Sequence, residues 1–321
     1  MPLPRRALPL LATSLGASLA APAIAQTART IRFVVPWPPG GLNDLIARAF
    51  NDRVSRLMGV TIVNDFKPGA GGRIGVAEVA RAAPDGLTIG MGNLGPLTIF
   101  PNLYRDMPFD VARDLAPITM FAASPLVLVV NNDLPVRSVA DLIALALARP
   151  GRLNYASIGV GTAQHLIFEM FRAQEGIAME HIPYRGNTDS LIAILQSDVQ
   201  AMFETLPSLL VPIADGKVRP IAVTTPERVP SLPQVPTLKE AGLDMEVTTW
   251  YAVIAPARTP ENVLATLYAA YTEVSRTAEM QRFLAEQGLI YAANTRTEFA
   301  ARIVAETARW GRIIRERGIS V

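Results

Sequence analysis

Cysteine is absent from the 321 residues, and histidine occurs only at His165 and His181. Without cysteine there is no disulfide, no thiolate nucleophile and no lipoprotein anchor. The two histidines stand too far apart in sequence to show metal-ligand spacing, so no metal and no cofactor is expected. Neither a Gly-x-Ser-x-Gly elbow nor a His-Glu-x-x-His pattern occurs, which leaves an exported hydrolase without its usual signatures. Past the N-terminus no apolar run reaches membrane-spanning length; Ala122 to Val130 is strand-sized and contains Pro125. Charge of one sign is also scarce. There are 30 basic and 28 acidic residues, with no block of lysine or arginine, so nucleic acid is not expected as a partner.

The N-terminus has the pattern of a secretory signal. Arg5 and Arg6 form a positive region, an apolar run extends from Ala7 to Ala20, and Ala23-Ile24-Ala25 precedes Gln26. The run is short for a span and is broken by Pro9 and Gly16. The residues flanking Arg5-Arg6 fit a twin-arginine signal poorly and favour the general export route. Cleavage after Ala25 removes two arginines and no acid, so the mature chain is formally neutral. The implied location is the periplasm. Half of the composition is hydrophobic, and the remaining length suffices for two lobes with their own cores.

Strand and helix patterns alternate. The apolar run Ile31–Val35 reads as a buried strand, stopped by Pro36, Pro38, Pro39, Gly40 and Gly41. A helix over 44–58 follows at once, with Leu45, Ile46, Ala49, Phe50, Val54, Leu57 and Met58 on one face and Asn43 or Asp44 as N-cap. A strand at Thr61–Asn64, a helix near 74–82, and a strand at Leu87–Met91 continue the series, ending in the loop Gly92-Asn93-Leu94-Gly95-Pro96. A second series has strands at Leu126–Val130, Leu153–Ala156, Met179–Pro183, Ala201–Glu204 and Arg219–Thr224, with helices at 139–149, from Ala163, and at 188–196. A strand at Trp250–Ala255 crosses back, and helices near 260–276, 278–287 and 297–316 finish the chain. The alternation suggests parallel sheets with crossover helices.

Two strand, glycine-loop and helix units therefore lie in different halves, at 31–58 and 153–175. Facing each other as a clamshell, they aim two helix N-termini at one ligand. Residues 36–44 and 157–165 contain no lysine or arginine. Peptide N–H groups at a helix N-terminus suit one carboxylate or an amide better than a tricarboxylate, which calls for a basic clamp.

The markers Val34-Val35-Pro36-Trp37-Pro38-Pro39-Gly40-Gly41, Lys67-Pro68-Gly69-Ala70-Gly71-Gly72, Ala83-Pro84-Asp85-Gly86, Leu153-Asn154-Tyr155-Ala156-Ser157, Gly161-Thr162-Ala163-Gln164-His165, Tyr184-Arg185-Gly186 and Val235-Pro236-Thr237 occur in order. By these the chain resembles the Bug family of periplasmic solute receptors, which serve tripartite tricarboxylate transporters. The resemblance covers essentially the whole mature chain. It implies an α/β, two-lobed type II periplasmic-binding-protein fold with an interlobe ligand cleft, with lobe 1 from 26–124 and 250–321 and lobe 2 from 125–249. It also implies a monomeric receptor, not an enzyme, that holds a small organic acid or related solute for a membrane permease of that transporter type or for a sensor protein. Main-chain groups and water from both glycine loops would hold the carboxylate.

The ligand-binding candidates are Trp37, Pro38, Pro39, Gly40, Gly41, Asn43, Asp44 and Asn93 in one half, and Ser157, Gly159, Gly161, Thr162, His165, Tyr184, Gly186 and Glu204 in the other. Asp44 reads equally as N-cap or as ligand contact, and Trp37 as rim packing or ligand stacking. Gly159 and Gly161 loosely echo a dinucleotide fingerprint whose third glycine is missing. His165 satisfies the first turn of its helix. Glu204 is either a solvated strand end or an acceptor for a ligand amine or hydroxyl, and as a fixed negative charge it is expected to repel a second ligand carboxylate. The chain departs from the family pattern at Glu204-Thr205, where Asp-Asn is common, and at Leu42, Asn43 and Asn187. If the signal is read correctly, N-terminal sequencing of the exported protein should begin at Gln26; a start at Met1 would refute it.

Overall fold

The computed structural model describes residues 30–320; the expected export signal, with Arg5, Arg6 and Ala25, lies outside them. In chain order the first elements are β1 (Thr30–Val35), α1 (Leu42–Met58), β2 (Thr61–Phe66), α2 (Arg73–Arg81) and β3 (Thr88–Asn93). A π-helical turn at Gly95–Ile99 leads into α3 (Phe100–Leu103), then α4 (Val111–Asp114) and β4 (Leu115–Asn131). The middle of the chain forms α5 (Val139–Ala148), β5 (Leu153–Ser157), α6 (Ala163–Glu175), β6 (Met179–Pro183), α7 (Asn187–Leu195), β7 (Ala201–Thr205), α8 (Leu206–Ala214) and β8 (Val218–Val223). The chain closes with β9 (Thr248–Pro256), α9 (Glu261–Arg276), α10 (Ala278–Glu286), β10 (Ile290–Tyr291) and α11 (Arg296–Glu316).

The strands hydrogen-bond along one path, β2-β1-β3-β9-β4-β7-β5-β6, with β8 and β10 also on β4; β2, β1, β3, β9, β10 and the first part of β4 form a first sheet, and the rest of β4 with β7, β8, β5 and β6 a second. β1 is parallel to β2 and β3, and β5 is parallel to β6 and β7. β9 and β4 run antiparallel to their neighbours, so the expected parallel pairing holds within each half but not for the two strands between them. Crossover helices link only the strands on either side of that antiparallel pair; β4 and β9 enter from distant sequence.

The helices are placed by apolar faces. On one side of the first sheet, Phe33, Phe50, Phe121 and Tyr271 join β1, α1, β4 and α9, with the Phe50 and Phe121 rings 4.6 Å apart. On the other side Val76, Val79, Trp250 and Trp310 bring α2 and α11 onto the sheet. In the second half Phe168, Phe171 and Phe203 pack α6 on β7, and Ala193, Ile194, Leu206 and Leu209 pack α7 and α8 on the opposite face. Covered on both faces, β4 is buried at every residue but Pro117. Such a strand has no inside–outside alternation to read, which is why its first half, containing Pro117 and Thr119, was not anticipated. The loop expected after β3 is helical instead. Pro96 suits a helix start, and Leu97, Ile99 and Phe100 are buried beneath it.

β4 is 17 residues long, about 55 Å of extended chain. Leu115 to Pro125 pair with β9, whereas Leu126 to Val130 pair with β7 and Val127 to Asn131 also with β8. Bulges at Pro117/Thr119 and Met120/Ala122 bend the first part. At the change of partner sits Thr224, 0% exposed. Its hydroxyl accepts the Leu126 N–H at 3.0 Å and donates to the Val247 carbonyl at 2.5 Å. One side chain thus ties the middle of β4 to the segment leading into β9. Replacing it with the similarly shaped valine (Thr224→Val) leaves a buried N–H and a buried C=O short of a partner. We expect a loss of about 2–3 kcal/mol, read as a lower urea midpoint; a change under about 0.5 kcal/mol would show that the hydroxyl carries no such weight.

Candidate functional site

β1, β2 and β3 all end at the same edge of the first sheet, and α1 begins there. α2 fixes the loop between β1 and α1 from below. Gly75 lies so close to it that a β-carbon would stand 2.8 Å from Pro36 Cα, and one at Gly72 would stand 3.0 Å from the Trp37 ring. The Lys67–Gly72 turn is therefore what lets Trp37 lie down. Its ring is half-buried and packs on the core shared by β1 and α1, while Pro38, Pro39, Gly40 and Gly41 are exposed.

The N-cap of α1 is Gly41, in extended conformation and with no side-chain cap. This corrects the expected Asn43 or Asp44, which occupy the first turn. Asp44 is 5% exposed, and its two oxygens take the Gly40 N–H at 2.8 Å and the Arg48 Nε at 2.5 Å. The carboxylate braces the loop backwards, and Arg48 neutralises it. The first-turn N–H groups are left uncapped, with the positive end of a 17-residue helix behind them. Asn43 and Asn93 each hold a side-chain oxygen that is closed off and unpaired.

The second glycine loop is built differently. Thr162 caps α6, its hydroxyl accepting the His165 N–H at 3.4 Å and donating to the Gly159 carbonyl at 2.7 Å. The Gly159 N–H goes to Ser157 Oγ, the Gly161 N–H to His165 Nδ1, and the Thr162 N–H to the Gly159 carbonyl. Three N–H groups that a rim for anions would present are thus already spent within the loop. Across from it, Gly161 meets α3: a β-carbon there would stand 2.0 Å from Leu103 Cδ2.

His165 accepts at Nδ1, so its proton sits on Nε2. Its ring stacks on His181 at 4.0 Å, and His181 on Tyr155 at 4.9 Å. The two histidines, distant in sequence, are neighbours in space. Burial pushes both below the ordinary imidazole range, His181 to about 4 with help from His165. Ser157 Oγ lies 2.7 Å from His181 Nε2, a nucleophile–base distance. Yet Ser157 is buried and tied to Gly159, and an imidazole titrating near 4 is a poor base at neutral pH. Among the described residues no group of three or more potential ligands could hold a metal ion.

Glu204 is 1% exposed, not the solvated strand end that was one of its two readings. Its Oε1 accepts from the Thr205 N–H (2.5 Å), Thr205 Oγ1 (2.9 Å), Asn187 Nδ2 (2.6 Å) and Gln164 Nε2 (3.4 Å). Gln164 lies in the first turn of α6, Asn187 opens α7, and Thr205 precedes α8. Three helix N-termini therefore converge on one carboxyl group.

The family description "Tripartite tricarboxylate transporter family receptor" matches residues 46–319. The chain belongs to this family. It is 34% identical over 306 residues to Protein BugT of Bordetella pertussis, covering 94% of both chains. Among solved structures it resembles R. palustris Rpa4515 with adipate at TM-score 0.84 and 32% identity, covering 91% of this chain and 98% of that one. MatC from Rhodopseudomonas palustris with bound malate gives TM-score 0.79 and 26% identity, covering 89% and 99%. Such neighbours are solute-binding receptors with a two-lobed α/β fold, which is the fold expected from the sequence.

In this receptor chain Trp37 to Asp44 and Asn93 lie at the C-terminal edge of the first sheet, where α/β folds hold ligands. Ser157 to His165, Tyr184, Gly186 and Glu204 lie at the corresponding edge of the second. Tyr184 is half-buried, its N–H on the Ser157 carbonyl at 2.9 Å. Gln164 lies within the expected second loop and Asn187 is one of the departures from the family pattern, but their bonds to Glu204 had no sequence signal, and Leu103 and His181 were missed because only tertiary structure brings them to these edges. A cavity of about 710 Å³ between residues 101–113 and α11 shares no residue with either loop. The two loops are separable by substitution. A β-carbon at Gly41, with φ −91°, meets nothing within 4 Å, whereas Gly161 has φ +78° and abuts Leu103. Gly41→Ala, which only exchanges one N-cap residue for a poorer one, should cost about 0.5 kcal/mol, and Gly161→Ala should lower stability by more, about 1 kcal/mol or above; the reverse order would overturn this reading of the loops.

Proposed function

We propose that the protein is a periplasmic receptor, not an enzyme, that captures a small carboxylate-bearing solute between two lobes and delivers it to a membrane permease of the tripartite tricarboxylate type. The observation that carries this is the start of α1: uncapped first-turn N–H groups behind an exposed glycine pair, on a loop made rigid by Pro38, Pro39 and the Asp44 brace. Peptide dipoles of this kind favour an anion without a lysine or arginine. Relatives bound to adipate and malate support a carboxylate ligand. No helix of the described residues is long and apolar enough to cross a membrane, which fits a partner that supplies the channel.

In this reading the ligand carboxylate sits at Gly40 to Asn43. Asn93, Ser157, Tyr184 and Gly186 shape the rest of the cleft, and Gly159 to His165 form its facing wall. The lobes are 26–124 with 250–321, and 125–249, a division supported by the change of β4 partners after Pro125.

Thermal melts of the mature protein against short mono- and dicarboxylates, with amides and amino acids for contrast, test the proposal. A carboxylate at a hundred times its Kd should add about 2.7 kcal/mol of apparent stability. Gly41→Val, with a branched side chain over the first-turn N–H groups, should abolish that shift while lowering the unliganded melt only slightly. Stabilisation by no carboxylate, or an undiminished shift in Gly41→Val, would sink the proposal.

A further inference from the structure

Segment 101–113 and α11 enclose an open groove of about 710 Å³ that neither glycine loop lines. Its two walls are held together. Asn102 Nδ2 donates to the Thr307 carbonyl at 2.9 Å, and Gly311 lets α11 come so close that a β-carbon there would stand 2.3 Å from Asn102 Oδ1. The Arg73 guanidinium lies 3.6 Å over the Tyr104 ring. Met107, Val111, Ile303 and Val304 give the groove an apolar surface. Val304 is 68% exposed, level with Val211 on α8 as the most exposed large apolar side chain among the described residues. The charge left over is positive. Asp110 is spent as the cap of α4, where it accepts the Arg113 N–H at 2.9 Å, and Asp114 is paired with Arg113. Arg105 and Arg315 also line the groove, exposed and with no carboxylate partner among the described residues.

We propose that this groove is the surface on which the membrane permease docks, and that the part of the permease seated in it is a short segment both apolar and acidic. The proposal rests on the reading of the protein as a receptor for such a permease, and adds to it the surface and the chemistry of the contact.

Chemistry and position both support it. Apolar side chains gathered in a concave surface and rimmed by charge mark a recognition site. Guanidinium groups at such a rim match carboxylates with two parallel bonds. The end of α11 carries Arg312, Arg315 and Arg317 against Glu316 alone, whereas basic and acidic residues nearly balance in the whole chain, 30 against 28. This local excess sets the sign of the partner segment. The position is what suits the groove to a loaded receptor. Asn102 on α3 lines it, and the next residue, Leu103, abuts Gly161 of the second glycine loop. A segment bound in the groove therefore rests on an element whose other contact would be broken if the two lobes opened. A permease docked there distinguishes a closed receptor from an open one without touching the solute.

Spheroplasts of the native host lacking the receptor gene, supplied with purified mature receptor, make the test. The labelled probe is whichever of acetate, malate, succinate and adipate raises the wild-type melting temperature most. Wild type should restore uptake of that probe. Val304→Glu and the double variant Arg105→Glu/Arg315→Glu place acid where the partner is acidic. Each should bind the probe in calorimetry within about twofold of wild type and restore less than about a tenth of its uptake. Val211→Glu, a matched change on α8, should restore uptake in full. Wild-type uptake with either groove variant would overturn the proposal and leave the receptor reading standing. An equal loss in Val211→Glu would overturn it too, since any added surface charge would then do the same. So would probe affinity lost together with uptake in both groove variants, which would make the groove part of solute binding. If no probe stabilises the wild type, or a bound probe is not taken up with wild type, the receptor reading falls and the docking proposal with it.

Discussion

The hydroxyl of Thr224 sits where β4 changes partner and the chain turns back into β9. The chain goes from the first sheet to the second inside β4 and returns at the start of β9. Thr224 bonds to each passage, to Leu126 and to Val247. Pro125 comes immediately before, so the rung of the ladder at the junction lacks an N–H to satisfy. A strand that must leave one partner and take another does so most cheaply at such a residue. The sheet edges that carry the two glycine loops are set in relation to each other by this junction, and so is the cleft between them.

The fold was legible where one element follows the next along the chain. β1 and α1 are marked by an apolar run, a proline and glycine stop, and a helical stripe of which Ile46, Phe50 and Val54 are buried while Leu45 and Leu57 stay exposed. The same logic found β5 and α6. It found β9 at Trp250–Ala255 and the second half of β4, but not the first half of β4 nor their antiparallel pairing, because a strand buried on both faces carries no period and pairing with distant strands leaves no local trace. It failed again at Leu94 to Pro96, where a glycine and a proline argued for a loop while burial of Leu97, Ile99 and Phe100 just beyond made a helix.

The site was legible as two loops and illegible as a set of contacts. Pro36 to Gly41 announced itself through residues that stiffen or thin the backbone. What the sequence could not show is how the polar groups settle among themselves. Asp44 turned from cap to brace because Gly40 and Arg48 were within reach. The N–H groups of the second loop were claimed by Ser157, His165 and Gly159. Glu204, placed by the sequence at a strand end, lies under the starts of three helices, because β5, β6 and β7 all finish at the same edge. Each is a pairing decided by folding, and each moves the functional weight from the loop itself to what the loop leaves unpaired.

The brace between Asp44 and Arg48 also bears on how quickly a solute arrives. With Arg48 paired to Asp44, and no lysine or arginine in residues 36–44 or 157–165, the two glycine loops themselves project little net charge into solvent, and Arg185 is the exposed cation between Tyr184 and Gly186. Peptide dipoles act over the last few ångströms and are not a long-range lure. Encounter is then set by diffusion and orientation, without the steering that makes association fall steeply with ionic strength. A receptor of this construction captures its solute at much the same rate in dilute and in salty surroundings, a useful trait in a compartment whose ion content follows the medium outside.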